Sequence, residues 1–174
     1  MDHMTRPKRR TFARTRLAGV AGLALSLALV SPASADAGGS SRPYEGSGSG
    51  ITVTTFGEPT TFVGDETADL AHLGNSTVHV EGTSTPTPEG VHLTGNATTV
   101  AANGDELTST FSGSGVMTPT GLEATVVGQV TGGTGRFEDA SGTITDHLVL
   151  TITGFSPPTV TATVESSFSG TISY

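Results

Sequence analysis

The chain has 174 residues, a formal charge of −8, 24 glycines, nine prolines, no cysteine and no tryptophan. So acidic a surface repels phosphate backbones and argues against nucleic-acid binding. Without cysteine there is no disulfide, no thiol chemistry and no thiolate-held metal, so a fold outside the cell must rest on its core or on sheet closure.

Residues 1–35 read as a secretory signal peptide. Lys8, Arg9, Arg10, Arg14 and Arg16 form a basic start, Leu17–Val30 is an apolar run, and Ala33-Ser34-Ala35 matches a cleavage site. The apolar run is short for a permanent anchor, which is the alternative reading. Arg9-Arg10-Thr11-Phe12 also resembles the twin-arginine export signature. Cleavage implies a secreted protein with no remaining membrane attachment. It removes six of the eight basic residues and one of the 16 acids, leaving Arg42 and Arg136 as the only Arg or Lys and a formal charge of about −13. The remainder is the length of one domain.

Residues 36–49 are rich in Gly and Ser and read as a flexible leader, with the folded domain at 50–174. Ile51–Phe56 is a strand by its branched and aromatic residues. Thr60–Asp69 mixes Phe62 and Val63 with Gly64-Asp65-Glu66 and reads as a loop or a short edge. Leu70–Gly82 is a strand region, and Pro86 and Pro88 make 85–90 a connecting loop. Val91–Ala101 leads into Asn103-Gly104, a two-residue hairpin signal, and Glu106–Gly113 returns from it. The last third alternates cleanly. Even positions are mainly apolar in Leu122–Val130, in Thr143–Thr153 and in Thr159–Ser173, with Thr and charged residues at odd ones. A period of two over such lengths means one face buried and one wet. The fold class is all-β: a single closed antiparallel barrel of about eight strands, with an open sandwich as the alternative. Closure removes the edges that a secreted sheet must otherwise guard, and a ring of eight is filled by side chains or holds one small ligand.

Several segments carry a resemblance. They are Ala71-His72-Leu73-Gly74, the run Ala101–Leu107, Gly132-Gly133-Thr134-Gly135-Arg136-Phe137 with Ala140-Ser141-Gly142 behind it, and Phe168-Ser169-Gly170-Thr171-Ile172. In that order they resemble the allene oxide cyclase/dirigent β-barrel superfamily, in particular its small secreted actinobacterial members. The resemblance implies an eight-stranded, calycin-like barrel with a central apolar cavity. Plant members are cyclases or stereochemistry-directing proteins, often trimeric, so it admits a homo-oligomer. Their catalytic residues do not map onto motif positions here.

Arg136 stands alone in a glycine frame. It is a candidate ligand contact, clamping a carboxylate at the barrel mouth, or else a structural tie to a neighbouring turn such as Asp105 or Glu106. The resemblance of the frame to an architectural element of that superfamily favours the tie. Asp146 and Ser166 are polar residues on the apolar parity of their strands. An inward carboxylate at 146 is a candidate general acid or base with a raised pKa; a bulge would instead turn it to water. Ser166, Leu148 and Phe168 share the inward parity and are candidate ligand contacts. His72, His79, His92 and His147 lack same-face i, i+2 spacing, so no metal site and no cofactor is expected. Gly113-Ser114-Gly115 lacks the surroundings of a nucleophile elbow. The functional expectation is a barrel that binds a small apolar molecule inside. A cofactor-free cyclase or isomerase and a filled structural module are the alternatives. The state of the interior decides among them.

Overall fold

The computed structural model describes residues 39–174, so the signal peptide expected at 1–35 lies outside the described residues. Nine strands follow one another: β1 (Ser41–Pro43), β2 (Gly46–Thr55), β3 (Thr60–Leu70), β4 (Gly74–Thr87), β5 (Gly90–Val100), β6 (Glu106–Thr118), β7 (Gly121–Gly133), β8 (Ser141–Ser156) and β9 (Thr159–Ser173). A single 3-10 turn, Gly135–Phe137, links β7 to β8. Each strand from β2 onward pairs antiparallel with the next, and β9 returns to β2, with Gly46 opposite Phe168 and Thr55 opposite Thr159. The ring therefore closes on eight strands, as the alternation and the turn spacing predict. Short β1 continues along β9 beyond the end of β2, with Arg42 opposite Ile172.

Four local expectations are corrected. The leader gives way to a strand at Gly46, because Gly46, Gly48 and Gly50 occupy the inward positions of β2 and leave Ser47 and Ser49 outside. A Cβ at Gly50 would lie 2.0 Å from the Asp65 carbonyl oxygen, so only glycine lets β3 lie so close there. Thr60–Leu70 is a full barrel strand whose buried positions are Gly64, Glu66, Ala68 and Leu70. Pro86 sits inside β4, opposite Val91. β3 has ended by then, at Thr60 opposite Ser84, so no strand on that side needs the missing N–H. The hairpin at Asn103-Gly104 forms, but Ala101 N–H donates to the Asp105 carbonyl, leaving three loop residues, with Gly104 at φ +88.

The interior divides along the barrel axis. At the end carrying the turns after β3, β5 and β7, a closed core contains Tyr44, Leu70, Leu107, Phe137 and Ile172, all at most 2 % exposed. Phe137, at 0 %, plugs the barrel from the 3-10 turn. Burial of a side chain of that size contributes about 2–3 kcal/mol. The other end, with the turns after β2, β4, β6 and β8, is left open.

Candidate functional site

Above the plugged end the barrel holds a cavity of about 230 Å³. Its walls are chiefly apolar, with Phe62, Leu93, Phe111, Val126, Leu148 and Phe168 among them. Phe56, 52 % exposed, and Met117, 63 % exposed, line it as well and mark where it opens to solvent. The interior is thus neither solid nor polar. Among the described residues no Lys, Arg or His lines it.

Two carboxylic acids lie in this apolar wall. Asp146 on β8 faces inward, because the register of β8 with β7 and β9 is unbroken around it and slips only near Ile152 and Gly154. Its Oδ2 accepts a hydrogen bond from the Ser166 hydroxyl at 3.4 Å, and its Oδ1 is buried without a partner. Glu66 on β3 is 6 % exposed, and its Oε2 is likewise unpartnered. The glycines of β2 make this pairing feasible. Glu66 Oε2 lies 3.2 Å from where a Cβ on Gly48 would stand, in space that a larger residue would take. Across β2 lies Ser166 on β9, opposite Gly48 and near enough to the Glu66 carboxyl to favour its ionised form. Ser166 therefore sits between two acids contributed by β3 and β8.

Burial dominates the electrostatics. It pushes Asp146 from its ordinary 3.8 up to about 7, with the nearby Glu66 charge adding to the rise and hydrogen bonds from Ser166 and the Ser167 backbone opposing it. Glu66 is raised too, by burial, against the Ser166 hydrogen bond. The floor is Tyr44, which packs edge-on against Phe168 with ring centroids 6.1 Å apart, its hydroxyl 3.4 Å from Thr99 Oγ1. Burial, reinforced by Asp146 and Glu66, pushes this phenol up to about 12. Two acids that feel each other's charge in an apolar cavity cannot both ionise cheaply, so near neutrality the pair favours retaining a proton.

The structure sorts the residues singled out in the sequence. Asp146, Leu148 and Phe168 line the cavity. Ser166 is buried behind Asp146 and supports it, rather than forming part of the wall. Arg136 is not at the mouth at all. It lies at the plugged end, where Nη2 donates to the His72 carbonyl at 3.2 Å, Nε approaches Asp105 Oδ2 at 3.8 Å, and the guanidinium covers the Phe137 ring at 4.6 Å. Its own N–H also donates to Asp105 Oδ2, at 3.3 Å. Gly135 beside it stands at φ +57, and a Cβ there would lie 2.0 Å from Asp105 Oδ1, which explains the glycine frame as a seat for Asp105. One side chain thus ties three turns together over the plug. Arg136→Met is expected to lower stability by about 1–2 kcal/mol, a few degrees in Tm, and to leave cavity binding unchanged. Thermal unfolding with parallel probe binding checks this; intact stability with lost binding would reverse the assignment. The four histidines 72, 79, 92 and 147 are exposed, and no group of three His, Cys, Asp or Glu able to hold a metal occurs among the described residues.

Sequence reasoning missed Glu66 and Phe137. For Glu66 a signal existed: Phe62, Gly64, Ala68 and Leu70 share its parity, which places it inward.

No protein-family model matches the chain, and no curated protein matches it. Among solved structures it is similar to the pterocarpan synthase dirigent protein GePTS1, with 14% sequence identity and a TM-score of 0.49, over 78% of this chain and 86% of that one. No residue assignment passes from that protein to this chain.

Proposed function

We propose that the barrel takes a small, mostly apolar molecule into its interior and moves protons on it, as a cofactor-free isomerase or cyclase. One observation carries this: two carboxyls, Glu66 and Asp146, are buried together in an apolar cavity, each with an oxygen that no protein group engages. Burying such groups costs stability unless they are used, and perturbed acids in a cleft are the usual material of general acid–base catalysis. The apolar wall supplies affinity and holds a flexible substrate in one conformation. Asp146 acts as the acid and Glu66 as the base. Secretion is part of the same reading and rests on the basic start, apolar run and cleavage pattern of residues 1–35.

Native mass spectrometry of protein recovered from its own culture medium tests the reading. A copurifying apolar molecule is expected, and incubation of its precursor pool with fresh protein should yield an isomer of identical mass at a new retention time. Asp146→Asn should bind the same molecule and convert it about tenfold more slowly. Return of the ligand unchanged by the wild-type protein would make the barrel a carrier instead.

A further inference from the structure

We propose that the substrate presents an enolisable carbonyl group to Glu66 and Asp146, and that the barrel removes a proton from the carbon beside it, converting ketone to enol or, by return of the proton to the γ-carbon, a β,γ-enone to its conjugated isomer. This assignment rests on the acid–base reading above and narrows it to a substrate class.

The inventory of hydrogen-bonding atoms points there. Asp146 has one oxygen held by Ser166 and one without a partner; Glu66 has a free oxygen of its own. With one proton between them, the pair offers a bound substrate one O–H donor and one carboxylate acceptor. A third polar group, the Tyr44 hydroxyl, lies on the same floor, and when Thr99 donates in their shared bond Tyr44 keeps its proton for the cavity. The site therefore pairs a base with one or two neutral donors, which is the requirement for taking a proton from carbon while stabilising the enolate oxygen that results.

Other classes fit less well. A substrate carboxylate would meet Glu66 without any Lys, Arg or His among the described residues of the wall to balance it. An epoxide could be opened by the acid alone, leaving the base without a task. An unactivated alkene is too weak a base for a carboxylic acid to protonate. A carbonyl uses both members of the pair. The step balances: Glu66 takes the α-proton, the C–H electron pair becomes the new C=C, and the carbonyl oxygen draws the Asp146 proton. Return of the Glu66 proton to the γ-carbon, with the oxygen returning its own to Asp146, gives the isomer. Nothing is oxidised or reduced, and no co-reactant is consumed.

The two carboxyls lie toward the plugged end, while the mouth carries Phe56 and Met117 with only the hydroxyls of Thr54, Thr60 and Ser84, so the carbonyl enters first and the apolar body trails toward Phe56 and Met117. The experiment uses 2-octanone in D₂O, with loss of its α-proton signals followed by NMR in the presence of the intact protein. Exchange about 10²-fold faster than in buffer alone is expected, falling to the buffer rate in Glu66→Gln and about tenfold in Asp146→Asn, while ligand-observed NMR shows both variants still binding the ketone. Octane and 1-octanol serve as binding controls. A ketone that binds but exchanges at the buffer rate overturns the assignment, as does binding of the alcohol or alkane without the ketone. If none of the three binds, the cavity-binding reading itself fails. Exchange that survives in both variants would move the chemistry away from this pair and also overturn it.

Discussion

Asp146→Asn makes the barrel more stable at pH 8, by on the order of 4 kcal/mol, and removes most of the pH dependence of wild-type stability between pH 4 and 8. The sign follows from which state holds the proton. In the unfolded chain Asp146 ionises near its ordinary 3.8; in the fold, burial and the Glu66 carboxyl push it up to about 7. Between those values the folded state binds more protons than the unfolded state. Stability is therefore full below about pH 4 and declines as pH rises toward 7. Above that, the whole difference is lost: about three units at 1.4 kcal/mol each. The charged groups facing Asp146 are few. Glu66 lies across from it and Tyr44 below, while its direct strand partners, Val126 and Phe168, are apolar. Glu66 adds a loss of the same sign, so the variant retains a smaller slope of its own. Urea unfolding at pH 4 and pH 8 for both proteins checks this. Parallel pH profiles would mean that Asp146 is solvated and not part of a buried pair. A stabilised variant with lowered activity would show a carboxylate kept against the interest of the fold, which is the energetic signature of a functional group.

The last three strands were legible because they are made of residues that distinguish inside from outside. Ile144, Leu148 and Leu150 against Thr143, Thr145 and Thr151 can be read at sight, and that parity placed Asp146 and Ser166 inward. The first half of β2 and the whole of β3 were not legible for the same physical reason in reverse. In β2 the inward positions are Gly46, Gly48 and Gly50, and a glycine buried by close backbone approach looks identical to a glycine in a linker. In β3 the inward series includes Gly64 and Glu66, which interrupt the apolar signal at the place where function sits. The site fell across both segments. Its acids come from positions 66 and 146, brought together only by closure of β9 on β2. No local pattern encodes that. Arg136 stood out as the lone cation of its region, yet the residue that fills the barrel end is its neighbour Phe137, whose role depends on a tertiary cavity that the sequence does not display.

Gly95→Val is expected to prevent folding at 25 °C, and Gly95→Ala to cost about 3 kcal/mol or more, although neither adds a polar atom. Gly95 faces Gly82 across the β4–β5 pair, and the two are flanked on the same row by Phe111 and Phe62. Those rings fold over the glycines, with centroids 6.2 Å apart, and form one wall of the cavity. A Cβ on Gly95 would stand 2.1 Å from the Glu81 carbonyl oxygen, 2.7 Å from Phe111 Cζ and 2.8 Å from Gly82 Cα. The ring can turn aside, but the carbonyl and the Cα belong to the adjacent strand and move only if the β4–β5 ladder opens. Gly154 supplies the control. A Cβ there meets nothing nearer than 3.7 Å, from Thr161, so Gly154→Ala should fall within about 1 kcal/mol of wild type and can be stabilising through the unfolded chain. Urea unfolding of the three variants separates the two glycine roles. Equal tolerance at 95 and 154 would mean that the strands are not so tightly apposed. If Gly95→Ala does fold, the displaced Phe111 ring should intrude on the cavity and weaken binding of a neutral apolar probe. The same missing side chains that hide the strands from a reader of the sequence are then what shape the space in which Glu66 and Asp146 meet a substrate.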